Sequence, residues 1–474
     1  NAARMSGFTS PTKSATLTPV PSPTQPVAPK AAIGDWGVDT KGMSKDGHAG
    51  DDFFRYASGA WYDGATVPSD RPATGSFNDL DVLSEERTQT IIADLQTKTT
   101  GLSPVGQKIR DLYRSYTDVA RLEQLNLDPV QKDLARINGA QSYAELARIM
   151  GSVPMGTASP FNAGIGTDDK NPDAYAIFVN QACLGLPDRD YYLQNEAGLV
   201  KAREAYKAYI AQIFDLAGIV GAKDKAARIF ALETALAKLH WPRDETREAE
   251  KIYNPLTINE LARFAPRFAW KAFFEEMGIK PPSGAKDLGA RRVIIAEKSA
   301  FPKIADLFGK TPIATWRDYL VFHYLSEHAS YLPKRFDDAY FAFYGTALTG
   351  RGAQLARDKR AVRFVGGVIG EGVGELYVAK YFPPEAKAKA QALVANLLKV
   401  YAERIKTRDW MTDATRAKAL EKVMTMVVKI GYPDKWRDYS ALQVDASDLL
   451  GNSQRSTVFG WNRDLNRLDD PVDR

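Results

Sequence analysis

Along most of the chain, apolar residues recur every three or four positions, the period of a helix with one buried face. In "KAREAYKAYIAQIFDLA", residues 201–217, Tyr206, Ile210, Ile213 and Ala217 fall on one side. Residues 226–239 repeat the pattern through Ile229, Leu232, Leu236 and Leu239. Residues 385–405 carry Leu393, Leu397, Tyr401 and Ile405 in one stripe, just after Pro383 and Pro384, and a helix start tolerates proline. A further helix is predicted over 413–427, capped by Asp413 and stopped by Gly431, Tyr432 and Pro433. Alternation at period two is scarce. The one candidate strand is "AYAIFVNQA", residues 174–182. The centre of the chain therefore reads as all-α.

The pattern fails at the N-terminus. Residues 1–35 are rich in Pro, Ser and Thr and poor in large apolar side chains. Such a stretch buries too little surface to offset the entropy of ordering, so it reads as a disordered tether or an ordinary loose terminus. The folded body begins near "GDDFFRYASGAW". The whole chain has 474 residues, enough for two to four domains or one large enzyme with interleaved parts. Its net charge is 63 − 58 = +5, with no basic block interleaved with aromatics, so nucleic acid is not indicated. One cysteine, Cys183, excludes an intramolecular disulfide and reads as a buried thiol. No apolar run approaches the roughly 20 residues of a membrane helix. The chain starts at Asn1, which a removed signal peptide or a trimmed terminus would explain.

Candidate chemistry is sparse. The four histidines are His48, His240, His323 and His328. "FHYLSEH" resembles a helical zinc motif, but His323 and His328 are five apart rather than four, which turns the second ring about 140° away. The aromatic neighbours suggest packing histidines. His240 ends a helical pattern, where a cation is favoured by the helix dipole. His48 lies in a polar stretch and carries no partner signal. The glycine run "VGGVIGEGVGEL", 365–376, lacks the ending of a phosphate loop and suits close helix packing. There is no G-x-S-x-G elbow.

Several longer stretches go further. "GDDFFRYASGAW" (50–61) with "GSFNDL" (75–80), "LGLPDRDYYL" (184–193), "YNPLTINELARFAPRFAWKAFF" (253–274) and "YLPKRFDDAYFAFYGTALTG" (331–350) occur in that order. They are followed by "GEGVGELYVAKYFPPEAKAKAQALVANLL" (370–398), "WMTDATRAKALEKV" (410–423) and "KIGYPDKWRDYSAL" (429–442). From about residue 34 onward the chain resembles the neprilysin/PepO-like zinc metallopeptidases, peptidase family M13. Its single cysteine and lack of a membrane helix are similar to the bacterial branch.

The resemblance implies a mainly α fold with two lobes: a large helical cap domain and part of a thermolysin-like catalytic domain, enclosing a cavity. Mapped here, 1–35 is the tether, 36–75 the N-terminal piece of the catalytic domain, 76–432 the cap, and 433–474 the start of the C-terminal catalytic segment. It implies a zinc endopeptidase that hydrolyses peptides within the enclosed chamber. One zinc ion would be bound by residues outside this chain, because the family's H-E-x-x-H and its later glutamate, histidine and arginine have no counterpart here. No catalytic or metal residue is therefore expected in this sequence. A C-terminal catalytic fragment of about 200 residues is the expected partner. Arg474 is where a trypsin-like protease would leave a new end, so nicking is the expected origin of the break. The location implied is periplasmic or secreted, with residues 1–35 as tether. Some members hold the substrate carboxylate with two arginines near the stretch resembling "ATGSFNDLD"; here those positions read Ala73 and Asp81. Arg71 is the candidate substrate-binding residue in their place; otherwise it is a surface arginine of the turn after Pro68 and Ser69. The alternative function is a peptide-binding or interaction scaffold made of the helical half alone.

Overall fold

The computed structural model describes residues 38–473, and the tether expected over 1–35 lies outside them. Contacts divide the chain into two units at Thr66/Val67. In the first, the helix Phe53–Gly64 starts at Asp52, whose carboxylate accepts the Arg55 N–H. It lies against the preceding segment: the Ser44 N–H donates to the Tyr56 carbonyl at 3.0 Å, and a Cβ on Gly59 would stand 3.0 Å from Ser44 Cβ. Phe53, Phe54, Trp61 and Tyr62 are exposed.

The second unit is mainly helical, as the periodicity predicts. The stripe of residues 201–217 forms the helix Ala197–Leu216, with Tyr206, Ile210 and Ile213 fully buried. Its neighbour Ala222–Leu239 buries Ile229, Leu232 and Leu236, and Ile313–Glu327 runs through the same core. Helix starts follow the local chemistry. Ser103 caps Pro104–Thr117, and Ser142–Glu145 and Thr257–Glu260 form reciprocal capping boxes. Thr412, not the expected Asp413, caps Asp413–Met424. The Thr412 hydroxyl accepts the Thr415 N–H, which leaves Asp413 in the first turn, where its charge still suits the dipole.

A small sheet is laid into the helices. Its strands are β1 (Phe161–Asp168), β2 (Asn171–Gln181), β3 (Asn254–Thr257) and β4 (Arg292–Ile295), in the order β1-β2-β4-β3. The candidate strand 174–182 is thus β2; the sequence reading did not find its antiparallel partner β1. β3 is an edge strand, which tolerates Pro255. Phe161 on β1 packs edge-on against Phe268, with ring centres 5.1 Å apart, and close to Trp270 and Phe301. Each such ring removed from water is worth about 2 kcal/mol or more.

A second core cluster holds three helices together: Ser76–Thr97, Pro104–Thr117 and Arg357–Tyr381. Gly372 allows the close approach there, since a Cβ would lie 2.7 Å from Val105 Cγ1. This is the close packing expected of the glycine run, but it holds at one glycine only. Gly366, Gly367 and Gly370 face open space, and the helix is interrupted at Ile369 (φ −133°, ψ 41°). Tyr439, Leu442, Leu449 and Leu450 are buried, so the last 40 described residues are seated on this unit.

The helix Pro384–Lys406 behaves differently. It forms as predicted, yet it and Asp413–Met424 bury no residue. The stripe residues Leu393 and Tyr401 are 62% and 61% exposed, and Trp410 is 72% exposed.

Candidate functional site

Arg71 sits in the turn its sequence suggests, its N–H bonded to the Pro68 carbonyl. Its guanidinium, however, is largely buried. It is held by Glu85, and by Asp81 at 3.3 Å. Asp81 and Glu85 are one turn apart on Ser76–Thr97, so both carboxylates face the same cation. Glu85 also accepts from Arg363 Nε at 2.8 Å. Asp81, at one of the two positions where the resemblance would place an arginine, is therefore a partner of Arg71. A peptide carboxylate at Arg71 would have to compete with two carboxylates already in place.

The histidines are not brought together. His323 Nε2 lies 2.7 Å from Glu233 Oε1, and His328 Nδ1 lies 2.8 Å from the Tyr324 carbonyl. His48 is exposed in the first unit. His240 does occupy the C-cap of Ala222–Leu239, but the expected cation is not there. Burial, and then the neighbouring Arg189 charge, pushes its pKa down to about 4, so it is neutral near pH 7 and offers the dipole no charge. Among the described residues, no group of three or more His, Cys, Asp or Glu side chains could hold a metal ion. With His323 and His328 committed to other partners, these residues do not fit a zinc site.

The stretch "LGLPDRDYYL" owes its shape to one buried carboxylate that sequence reading missed. Glu233 has no exposed surface. It accepts the Tyr192 hydroxyl at 2.5 Å, the Tyr206 hydroxyl at 2.9 Å and the Gly185 N–H at 3.3 Å, besides meeting His323. Tyr192 in turn accepts the Leu186 N–H at 2.9 Å, and the Tyr344 hydroxyl donates to the Gly185 carbonyl at 3.0 Å. Burial, then the Glu233 charge, drives the Tyr192 and Tyr206 hydroxyls well above the usual tyrosine range, so both stay donors. The signal was present in the sequence. Glu233 falls on the stripe of Ile229 and Leu236, where a charge is out of place unless it is paired.

The loop borders two clefts of about 350 and 540 Å³ that share Cys183, Leu184, Leu186 and Pro187. Cys183 lines both clefts and is exposed, not buried as expected, and its backbone is left-handed (φ 53°). Desolvation by the cleft walls, then Glu327 and Glu233, raises its pKa, which disfavours the thiolate. A larger groove, about 640 Å³, runs along the helix Leu449–Arg467. Its lining includes Pro154, Ala441, Val458 and Phe459 together with Asn462, Arg463 and Asn466.

Known proteins share this fold. The family model described as Peptidase family M13 matches residues 49–433. Endothelin-converting enzyme 1 of Bos taurus is 28% identical over 441 residues, covering 88% of this chain and 56% of its own length. Neutral endopeptidase of Lactobacillus helveticus is 27% identical, covering 90% of this chain and 65% of its own. This chain thus spans between half and two thirds of the length of those relatives. Among solved structures, the Mycobacterium tuberculosis zinc metalloprotease Zmp1 in complex with inhibitor superposes with a TM-score of 0.86 at 31% identity, over 92% of this chain and 66% of that one. PepO from Lactobacillus rhamnosis HN001 shares the fold, with a TM-score of 0.76 at 21% identity, over 90% of this chain and 67% of that one. With the match running through both units and the ordered motifs between them, the chain belongs to peptidase family M13.

Proposed function

We propose that this chain is the helical, substrate-enclosing part of a zinc-dependent endopeptidase. The observation that carries this reading is the likeness to a zinc metalloprotease at 31% identity over 92% of the chain. On this reading residues 76–432 form the cap over a peptide chamber. Residues 36–75 open the catalytic domain, and 433–474, in which Leu449 and Leu450 are buried, start its C-terminal segment. One zinc ion would be held by a further segment of about 200 residues that supplies all metal ligands and reacting groups. The uncovered apolar face of Pro384–Lys406 and Asp413–Met424 supports this, since a patch of that extent favours a covering partner. Arg71 would meet the substrate only by exchanging Asp81 or Glu85 for a peptide carboxylate. Among the described residues no helix is long and apolar enough to cross a membrane. The setting proposed is periplasmic or secreted.

The test is reconstitution. The 474-residue chain is mixed with a polypeptide of about 200 residues bearing H-E-x-x-H. Mass, zinc content and hydrolysis of a quenched-fluorescence peptide are then measured. A one-to-one complex with one zinc that cleaves the peptide is expected. A chain that binds peptide yet forms no complex and gains no activity would instead establish the scaffold reading.

A further inference from the structure

The groove along Leu449–Arg467 has the composition of a peptide site, with its polar groups unspent. The side chains of Asn462, Arg463 and Asn466 make no hydrogen bond or ion pair to any described residue, although the surrounding arginines are engaged. Arg455 pairs with Asp448 at 2.9 Å and with Asn452, and Arg467 pairs with Asp464. Arg455, Phe459, Asn462 and Asn466 follow one another at helical spacings of four, three and four, so they form one ridge. From Arg455 to Asn466 the ridge is about 16 Å long, which matches about five residues of extended peptide.

Each part has a chemical use. A carboxamide offers an acceptor and two donors, so Asn462 and Asn466 can pair with the C=O and N–H of a peptide bond, whatever its sequence. Arg463 offers a planar fork that fits a carboxylate with two parallel bonds. Phe459 and Val458 add apolar lining. Arg455 and Arg467 are already neutralised by Asp448 and Asp464, and the Asp438 carboxylate already accepts the Ser440 N–H and hydroxyl, so Arg463 is the groove cation left without a counter-ion among the described residues. Asn462 and Asn466 also line an adjoining cavity of about 330 Å³ that contains Lys280, whose ammonium has no described partner.

We propose that this groove binds an extended peptide carrying acidic side chains, the asparagines holding its backbone and Arg463 a carboxylate. The proposal rests on the peptide-chamber reading only for its biological meaning; binding is tested without hydrolysis. The 474-residue chain is titrated against three fluorescein-labelled ten-residue Gly/Ala peptides carrying four Asp, four Asn or four Lys, with anisotropy as the readout. The Asp peptide is expected to bind at least tenfold tighter than the Asn peptide, with the advantage shrinking as salt rises. Arg463→Ala should lose about fivefold or more of the Asp affinity and leave the Asn peptide unchanged. Asn462→Ala with Asn466→Ala should weaken both peptides equally. Arg463→Glu should shift preference toward the Lys peptide. These side chains are exposed, so unchanged thermal melts are expected and would show that the variants fold. Equal binding of the Asp and Asn peptides, no measurable binding, or a preference that survives Arg463→Ala would overturn the proposal. Acid-selective binding without any reconstituted hydrolysis would keep it and remove the peptidase reading instead.

Discussion

The hydroxyl of Tyr206 stands where a side chain at residue 185 would begin: a Cβ added to Gly185 would lie 1.7 Å from that oxygen. The glycine is needed because a buried tyrosine reaches past it to Glu233. Gly185→Ala should therefore push Tyr206 off the carboxylate and cost about 3 kcal/mol or more, the sum of overpacking and a lost buried hydrogen bond. Urea unfolding measures this. The penalty should be smaller in a Tyr206→Leu background, where the obstructing ring is gone. Equal penalties in the two backgrounds would show that the contact is not the cause.

Glu233 is the centre of that network, and removing it strands several donors at once. Glu233→Ala should destabilise the protein by about 3–5 kcal/mol, because the Tyr192 and Tyr206 hydroxyls and the Gly185 N–H lose their acceptor inside the core. The local effect is more diagnostic. Amide hydrogen exchange at Gly185 and Leu186 should quicken more than exchange in the helix Pro104–Thr117, which has its own core. A uniform change across the chain would mean that Glu233 supports global stability without shaping the 184–193 loop.

How much of this could be read beforehand depends on what a residue's spacing can encode. Tyr206, Ile210 and Ile213 were legible because periodicity reports which side of a helix is apolar. Leu393, Leu397 and Tyr401 follow the same rule and form the helix, yet they lie exposed; a stripe says that a face is apolar, not what covers it. β2 was legible through its alternation and β-branched residues. β1 was not, because Gly164 and Gly166 carry no side chain to alternate. Arg71 was found by resemblance, whereas its partners Asp81 and Glu85 come from packing that no local pattern records. Asn462 and Arg463 look like any solvated helix face until the groove beside them is seen.

His240 gives the chain a definite pH response. Its folded pKa is lowered to about 4 by burial and by Arg189, and its unfolded value is about 6.5. The unfolded chain thus binds the extra proton first, and stability falls as pH drops through this window. The contribution is fully present above about pH 6.5 and is lost by about pH 4, a change of at most about 3 kcal/mol. Other groups titrate in the same range, so the comparison needed is with His240→Gln. The difference in unfolding free energy between the two proteins should shift steadily from pH 6.5 to 4. Parallel curves would mean that His240 is not held neutral.

The uncovered face of Pro384–Lys406 makes the last prediction. Leu397, Val400, Tyr401, Ile405, Trp410 and Met411 line a mostly apolar cavity of about 390 Å³ that also includes Arg404 and Arg408. Nothing described covers the stripe, so replacing Leu393, Leu397 and Tyr401 with lysine removes no core contact. Each change should alter stability by about 0.5 kcal/mol or less, as exposed substitutions do, while binding of an apolar dye to the isolated chain falls several-fold. In the reconstitution experiment the same variant should fail to capture the metal-bearing polypeptide, because the face that would seat it now carries three buried charges at the junction. A triple variant that melts early would show the stripe to be core. One that melts normally and still forms the active complex would show that the metal-bearing segment docks elsewhere.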